Sequence, residues 1–223
     1  MSKLPLALLL GLTMHAQQAI VNLPSADITA KGKNFLMHET QATPWGAARA
    51  WSGTNFYSYG VGRSTELAVT SYNGGSPLAG NFATGVGFKS APVVAKTWNV
   101  KQTFGSMFIL NHRGTGAGHF SYTHTSFELP KLETRISAGG FAGSRALFGK
   151  NTANFIAGIE QPILHHRFTL LAEWIAGKHE LGFFIPGILF HPRKNHFIVA
   201  AYKIPNYAVN GKTGIVLEYG LIF

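Results

Sequence analysis

The chain ends in the stretch Ile215-Val216-Leu217-Glu218-Tyr219-Gly220-Leu221-Ile222-Phe223, in which the character of the side chains alternates with a period of two. One set of alternate positions is wholly apolar or aromatic and comprises Ile215, Leu217, Tyr219, Leu221 and Phe223. The positions between them are occupied by Val216, Glu218, Gly220 and Ile222. Because successive side chains of a β-strand point to opposite faces, this period predicts a strand with one continuous apolar face.

The same period recurs along the chain from Lys33 onward, in segments separated by clusters of Gly, Pro, Asn, Ser or charged residues. Such spacing is typical of antiparallel strands joined by turns. The first segment and the sixth are the least regular, so ten or fourteen strands stay open as alternatives. Twelve segments fit the pattern: 33–43, 54–62, 65–73, 80–90, 97–110, 118–129, 133–143, 154–163, 168–177, 181–190, 196–204 and 213–223.

The composition narrows the class of protein that can carry these strands. Apolar residues make up 46% of the chain and charged residues only 13%, against about 25% charged residues in ordinary soluble domains. This apolar content excludes a disordered chain. A helical membrane bundle is also excluded, because the longest apolar runs, Leu4 to Leu12 and Leu181 to Phe190, fall short of the ~18 residues that a helix needs.

The chain has many strands with an apolar face and no long apolar helix, so we predict an all-β fold. The predicted architecture is a single antiparallel transmembrane up-and-down β-barrel of about 12 strands over residues 33–223. An even strand number puts both termini on one side of the membrane. A secreted β-sandwich or a lipocalin-like barrel is the soluble alternative, although those folds leave their outward faces charged.

The first residues are typical of an export signal. Met1-Ser2-Lys3 precedes an apolar run of nine residues, and Ala16 and Ala19 both offer cleavage points. We therefore predict a cleavable signal peptide over residues 1–19. Residues 20–32 contain Pro24 and show no clear alternation, so they are expected either in the periplasm or folded into the pore.

With this export signal and the alternation between the two ends, the C-terminal strand resembles the outer-membrane β-barrel proteins of Gram-negative bacteria. In that family the last strand ends in an aromatic residue, with aromatic or aliphatic residues at every second position before it. Tyr219, Leu221 and Phe223 match this pattern. The resemblance implies an integral outer-membrane protein whose last strand is read by the barrel-assembly machinery. Membrane lipid and lipopolysaccharide are further expected partners, and a protein partner is left open.

Charged residues on the faces opposite the apolar ones should point into the lumen. They can form a network of ion pairs that fills the interior, or a constriction that selects solutes by charge. The bases are Lys89, Lys101, Arg135 and Lys203, and the acids are Glu66, Glu160, Glu173 and Glu218.

The net charge of +10 is concentrated partly in the loops opposite the termini. A basic rim suits lipopolysaccharide phosphates, or the attraction of anionic solutes. Nucleic-acid binding is not expected, because no basic and aromatic stacking motif accompanies these charges. The basic loop residues are Arg49, Arg113, Arg145, Lys150, Lys178 and Lys212, with Glu180 as the only acid.

Catalysis is an alternative because His124, Ser126 and Glu128 alternate and so share one strand face. The His-x-Ser arrangement is similar to that of lipid A deacylase barrels, although residues two apart on a strand lie roughly 6–7 Å from each other. No metal or cofactor site is predicted. His165 and His166 are adjacent and would point in opposite directions.

Three functions fit these sequence features, in descending order of preference. The first is a passive porin-like channel for small polar or anionic solutes, similar in size to the monomeric oligosaccharide porins. The second is a closed structural barrel that anchors or scaffolds a partner, with its lumen filled by Phe56, Leu171 and Ile175. The third is an outer-membrane lipid hydrolase that uses His124 and Ser126.

Overall fold

A computed structural model describes residues 19–45, 50–74, 81–112 and 116–223 of the chain. The predicted signal peptide lies outside the described residues, apart from Ala19. A short helix α1 (Arg145–Phe148) and a 3-10 turn (Ala208–Asn210) accompany the strands. The strands are β1 (Asn34–Thr43), β2 (Ala50–Gly60), β3 (Thr65–Gly74), β4 (Asn81–Ser90), β5 (Val93–Ala95), β6 (Val100–Asn111), β7 (Ala117–Leu129), β8 (Thr134–Gly143), β9 (Ala153–Ile163), β10 (Phe168–Ile175), β11 (Phe183–Arg193), β12 (His196–Pro205) and β13 (Gly214–Ile222).

The sheet closes on itself through antiparallel pairing of strands that are neighbours in sequence. β1 pairs with both β2 and β13, and the β1–β13 register runs from Phe35 opposite Ile222 to Ala42 opposite Ile215. β4 pairs directly with β6, so β5 is a three-residue addition on the edge of β6. The predicted all-β antiparallel barrel of twelve strands is therefore confirmed.

The strand limits differ most from the prediction at β2, which begins at Ala50 rather than at residue 54, and they differ again around β5 and β6. The prediction begins a strand at residue 97, whereas residues 96–99 form a turn and β6 begins at Val100. Asn99 has a φ of 45°, a left-handed conformation that ends an extended strand. Trp98 fits the apolar alternation of β6, although it lies in the turn before that strand. The period of two therefore placed the start of the strand too early.

The outward face of the barrel carries the large apolar side chains. Within the described residues, no helix is long and apolar enough to cross a membrane. On β13, for example, outward positions alternate with buried ones: Leu217 is 50% exposed and Val216 is fully buried. An apolar outer surface around a closed sheet is the arrangement that lipid requires. Other exposed apolar residues are Leu67, Val69, Val86, Phe104, Phe108, Leu170, Trp174, Phe184, Ile188, Ile198 and Tyr219.

The inward face is packed tightly along β8 to β13. Leu171, Ile175, Ile185 and Leu189 are buried there in one continuous cluster. The rings of Phe35 and Phe197 stack with their centroids 5.8 Å apart. Gly220 faces the ring of Phe197 closely enough that a Cβ atom would collide with it. One half of the lumen is thus filled by side chains.

A substitution on the outward face tests whether that face contacts lipid. We expect Leu217→Arg to lower the free energy of unfolding in lipid vesicles by about 2–4 kcal/mol, because it places a charge near the middle of the apolar belt. Denaturant titration of the protein in vesicles measures this change. The control Leu132→Arg lies in the β7–β8 turn and should cost about 0–1 kcal/mol. Equal costs for both variants would contradict a lipid-facing Leu217.

Candidate functional site

Residues 19–32, here called the lumen segment, lie inside the barrel. Ile20, Val21 and Leu23 are at most 1% exposed. The segment enters beside β2, where Lys31 forms a bridge to Gly60 and the Gly32 amide donates to the Gly60 carbonyl at 2.8 Å. Gly60 must be a glycine here, because a Cβ atom would overlap the backbone of Ala30. The lumen is therefore occupied by the chain's own N-terminal part.

The carboxylate of Glu173 on β10 is surrounded by backbone amides of the lumen segment. It accepts hydrogen bonds from the amides of Val21 at 2.9 Å, Asn22 at 2.9 Å and Leu23 at 2.8 Å. The Ile20 amide donates to the Leu23 carbonyl at 2.7 Å, which closes the turn around the carboxylate. Three backbone amides therefore converge on the two oxygens of one side chain. Glu173 is thus the first attachment point.

Arg135 on β8 makes the second attachment, to Asp27. Its guanidinium donates to the two Asp27 oxygens at 2.7 and 2.9 Å, and it also binds Glu160 on β9. Lys101 on β6 lies 3.4 Å from Asp27 and donates to the Ala26 carbonyl at 3.2 Å. Burial raises the pKa of Asp27, but Arg135 and Lys101 lower it by more, so its pKa lies well below the usual range.

The third attachment joins the lumen segment to β2 and β3. The amide of Thr29 donates to Glu66 at 2.7 Å, and the hydroxyls of Thr29 and Ser58 lie 2.7 Å apart. Lys89 on β4 forms an ion pair with Glu66 at 3.3 Å. Three separate regions of the wall therefore contact the segment.

The eight charged residues predicted to face the lumen are all buried or half-buried, and the structure brings several of them together. Lys89 pairs with Glu66, and Arg135 pairs with Glu160. Lys203 donates to Gln41 at 2.8 Å and lies over the Phe183 ring, 4.4 Å from its centroid. The remaining placements are Lys101 beside Asp27, Glu173 beneath the turn of the segment, and Glu218 on the strand next to Glu39.

Two interior acids were not predicted from the sequence. Glu39 is 6% exposed, lies directly opposite Glu218, and accepts hydrogen bonds from Gln41 and Thr54. Both faces of its strand β1 mix polar and apolar residues, so the period of two did not show which side chains point inward. Asp27 lies in a stretch with no alternation. The available signal for Asp27 was chemical, since an acid in this segment can pair with one of the basic residues predicted to face the lumen.

A cavity of about 500 Å³ lies between the lumen segment and the barrel end opposite the termini. We call it the apolar cavity. Its floor includes Val21 and Pro24 of the segment, with Glu66 and Lys89 beside them. Strands β1 to β4, β6 and β7 form its walls. The main apolar lining residues are Met37, Phe56, Ala68, Ala83, Met107, Ile109, Phe120, Tyr122, Leu147, Phe148 and Leu181.

Helix α1 and the loop after β10 narrow the mouth of this cavity. Phe148 is buried against Phe141, with centroids 4.8 Å apart, and against the ring of His179 at 5.1 Å. His179 Nε2 lies 2.7 Å from the Ala176 carbonyl, and its Nδ1 accepts the Leu181 amide at 3.2 Å. These contacts require the neutral ring with its proton on Nε2. Burial lowers the pKa of His179, although the bond to Ala176 acts in the opposite direction.

The three residues of the catalytic hypothesis occupy separate surroundings. His124 and Ser126 are 1% and 0% exposed and point into the barrel, as do Phe120 and Tyr122 on the same face. His124 lies opposite Thr103 and Ser126 lies opposite Lys101. Glu128 accepts a hydrogen bond from Asn99 at 3.1 Å. Among the described contacts, none joins Ser126 to His124.

The side chains that could bind a metal ion are dispersed over the part of the chain that the structure describes. There, no group of three or more His, Asp or Glu side chains is placed to hold a metal ion. His166 instead forms a contact with Glu133 at 3.1 Å that joins two neighbouring turns.

Comparison with known proteins yields matches at the level of structure. No protein-family model matches the chain, and no curated protein does. A structure described as the KdgM porin in complex with disordered oligogalacturonate is similar, with 9% identity and a TM-score of 0.59. That match covers 86% of this chain and 98% of that one. Outer membrane phospholipase A from Escherichia coli is similar with 9% identity and a TM-score of 0.50, covering 87% and 98%.

The chain therefore has the fold of the outer-membrane β-barrels. The closed sheet and the outward apolar belt are those of an integral outer-membrane protein. At 9% identity the two solved structures establish this architecture and no specific activity.

Loss of an accepting oxygen from Glu173 should release the turn of the lumen segment. In Glu173→Gln, the side-chain NH2 group, which donates and cannot accept, faces a backbone amide donor where a carboxyl oxygen stood, at a cost of about 1.5–3 kcal/mol. We expect hydrogen exchange at residues 20–24 to accelerate roughly ten- to a hundredfold. The control Glu218→Gln changes another buried inward glutamate, which lies opposite Glu39 and accepts no hydrogen bond from the lumen segment. Unchanged exchange in Glu173→Gln would contradict this attachment.

Acidification should loosen the loop that contains His179. Because its folded pKa lies below the ordinary value of about 6.5, the opened loop binds a proton more readily than the closed loop. The contribution of the neutral ring is complete above that value and is lost as the pH falls below it. Hydrogen exchange at residues 177–182, corrected for intrinsic rates, should therefore rise between pH 7.5 and 5. His179→Gln should abolish this dependence, whereas exposed His165→Gln should retain it.

Proposed function

We propose that this protein is a closed outer-membrane barrel, sealed against passive diffusion, that acts as an anchor or scaffold in the membrane. The observation that carries the proposal is the attachment of the lumen segment at Glu173, Arg135 and Glu66. A segment tied to three regions of the wall blocks the passage along the barrel axis.

The interior charges support a closed state because they bind one another and the segment. Lys101 and Arg135 contact Asp27, and Lys89 contacts Glu66. In a passive channel, these charges would face water and a moving solute. Here their partners are fixed protein groups. The ion-pair network is thus the better supported of the two roles considered for them.

Apolar packing supports the same conclusion. Ile20 and Leu23 of the lumen segment are completely buried in the cluster that contains Leu171 and Ile175. Burying each such side chain contributes about 1.5–3 kcal/mol. Removal of the segment would expose these groups to water, so the closed state is strongly favoured. Phe56, the third residue predicted to fill the lumen, packs against this cluster and borders the apolar cavity.

A channel is the second candidate, and it requires the lumen segment to leave. The segment is held by contacts that its departure would break, and Lys101, Arg135, Glu66 and Glu173 would then border an aqueous passage. The small polar or anionic solutes of the passive-channel hypothesis would meet these charges only in that open state.

Lipid hydrolysis is less well supported. A serine that acts on membrane lipid must reach the lipid, whereas Ser126 is completely buried inside the barrel. General-base activation also needs a hydrogen bond between serine and histidine, and His124 lies opposite Thr103 instead.

The partner predictions stand as part of this proposal. Arg145, Lys150, Lys178 and Lys212 lie in loops at the end opposite the termini, where lipopolysaccharide phosphates would meet them. Arg49 and Arg113 lie outside the described residues. The outward side chains of Tyr219, Leu221 and Phe223 remain the proposed signal for barrel assembly.

Single-channel recording in a planar bilayer under a salt gradient tests the closed state. We expect no sustained conductance from wild-type protein whose folding is verified by circular dichroism. The double variant Asp27→Ala/Glu173→Ala, which loses two attachments, should show opening steps. A matched control, Glu133→Ala/Glu218→Ala, removes one exposed and one buried acid and should stay silent.

Steady conductance from the wild-type protein would overturn the proposal. If its reversal potential also favoured anions, the passive channel would be restored as the first candidate, and Lys101→Glu should then shift that potential. Silence of the double variant would show that Asp27 and Glu173 do not maintain the seal.

A further inference from the structure

Among the described residues, the apolar cavity is closed at one end and open at the other. Val21 and Pro24 of the lumen segment form its floor. At the opposite end its lining includes Gly116, Ala146 and Glu180, all of which are exposed. A molecule can therefore enter from the mouth and cannot continue past the segment.

The cavity is elongated along the barrel axis. Its wall on β4 extends from Lys89 to Ala83, which at a rise of about 3.4 Å per residue and a tilt of about 40° spans roughly 15 Å along that axis. A volume of about 500 Å³ over that length accommodates an extended hydrocarbon chain.

The lining is apolar along most of this length. Met37, Phe56, Met107 and Ile109 border the cavity. Of its charged lining residues, Lys89 and Glu66 at the floor are paired with each other, and Glu39 on β1 accepts hydrogen bonds from two neighbouring side chains. Methionine side chains adapt their shape to a flexible ligand. A pocket with these properties gains its affinity from buried apolar surface.

We propose that the apolar cavity binds the tail of a monoacyl amphiphile, such as a free fatty acid, with the head group at the mouth. At the mouth the head group can remain in water, and Arg145, which can pair with a carboxylate head, begins the helix whose Ala146, Leu147 and Phe148 line the mouth. The proposal rests on the closed barrel proposed above, because the lumen segment is the floor against which the tail ends.

Binding of saturated fatty acids of increasing length tests this assignment. The probe is a fatty acid carrying a photoreactive diazirine, incubated with the full barrel in lipid nanodiscs, and unlabelled acids compete with it. Each added methylene should tighten competition about fourfold. The gain should stop once the tail fills the length of roughly 15 Å. Cross-linked peptides should come from β3, β6 and β7.

Two substitutions separate the cavity from the lipid surface. Ala68→Phe fills the cavity, whereas the control Val69→Phe adds the same ring on the neighbouring outward position, which is 47% exposed. We expect at least a tenfold loss of affinity in Ala68→Phe and none in Val69→Phe. Met107→Gln, which keeps the volume and adds an amide, should also weaken binding if Ala68→Phe does not fold.

Other outcomes would overturn the proposal. A continued gain with chain length, equal to that of empty nanodiscs, would indicate partition into the bilayer. Competition by a diacyl phospholipid at the same peptides would assign the cavity to membrane lipid. If the barrel shows no conductance and does not bind fatty acid, the fatty-acid proposal alone is refuted. If the barrel conducts and binds fatty acid, the closed state alone is refuted.

Discussion

The structure depends on one constraint, that no backbone amide or carbonyl can remain unpaired in a hydrocarbon layer. The antiparallel pairing of β1 with β13 satisfies it, because that pairing removes the last two edges of the sheet. Closure also creates an interior that is separated from lipid. Every second side chain of each strand points into this interior, so polar residues can be placed there only if partners are found for them.

The acidic and basic side chains of this interior find many of their partners in the lumen segment. Its backbone amides bind Glu173 and Glu66, and its single acid binds Arg135 and Lys101. A buried charge that loses its partner is strongly destabilising. The contacts that complete the interior are therefore the same contacts that obstruct the barrel axis, which links the stability of the lumen to its closure.

The interior has two parts, one filled by side chains and one that contains the apolar cavity, and this difference bears on the proposed function. Large side chains from β8 to β13 pack around Ile20 and Leu23, whereas the facing strands carry smaller residues such as Ala68 and Ala83. The smaller residues leave the apolar cavity. The lumen segment closes the barrel at the end that carries the chain termini, and the cavity opens at the opposite end. This arrangement favours retention of a ligand over its passage through the barrel.

The sequence by itself determined the barrel class and the approximate limits of the twelve strands, and it predicted that eight charged residues point inward. Those features depend on the period of two, which is local and readable from neighbouring positions. Only the tertiary structure decided that residues 19–32 fill the lumen, that Asp27 and Glu39 belong to the interior network, and that Ser126 is buried away from lipid. These features depend on contacts between residues far apart in the chain, such as Asp27 with Arg135, and no local pattern of side chains encodes them.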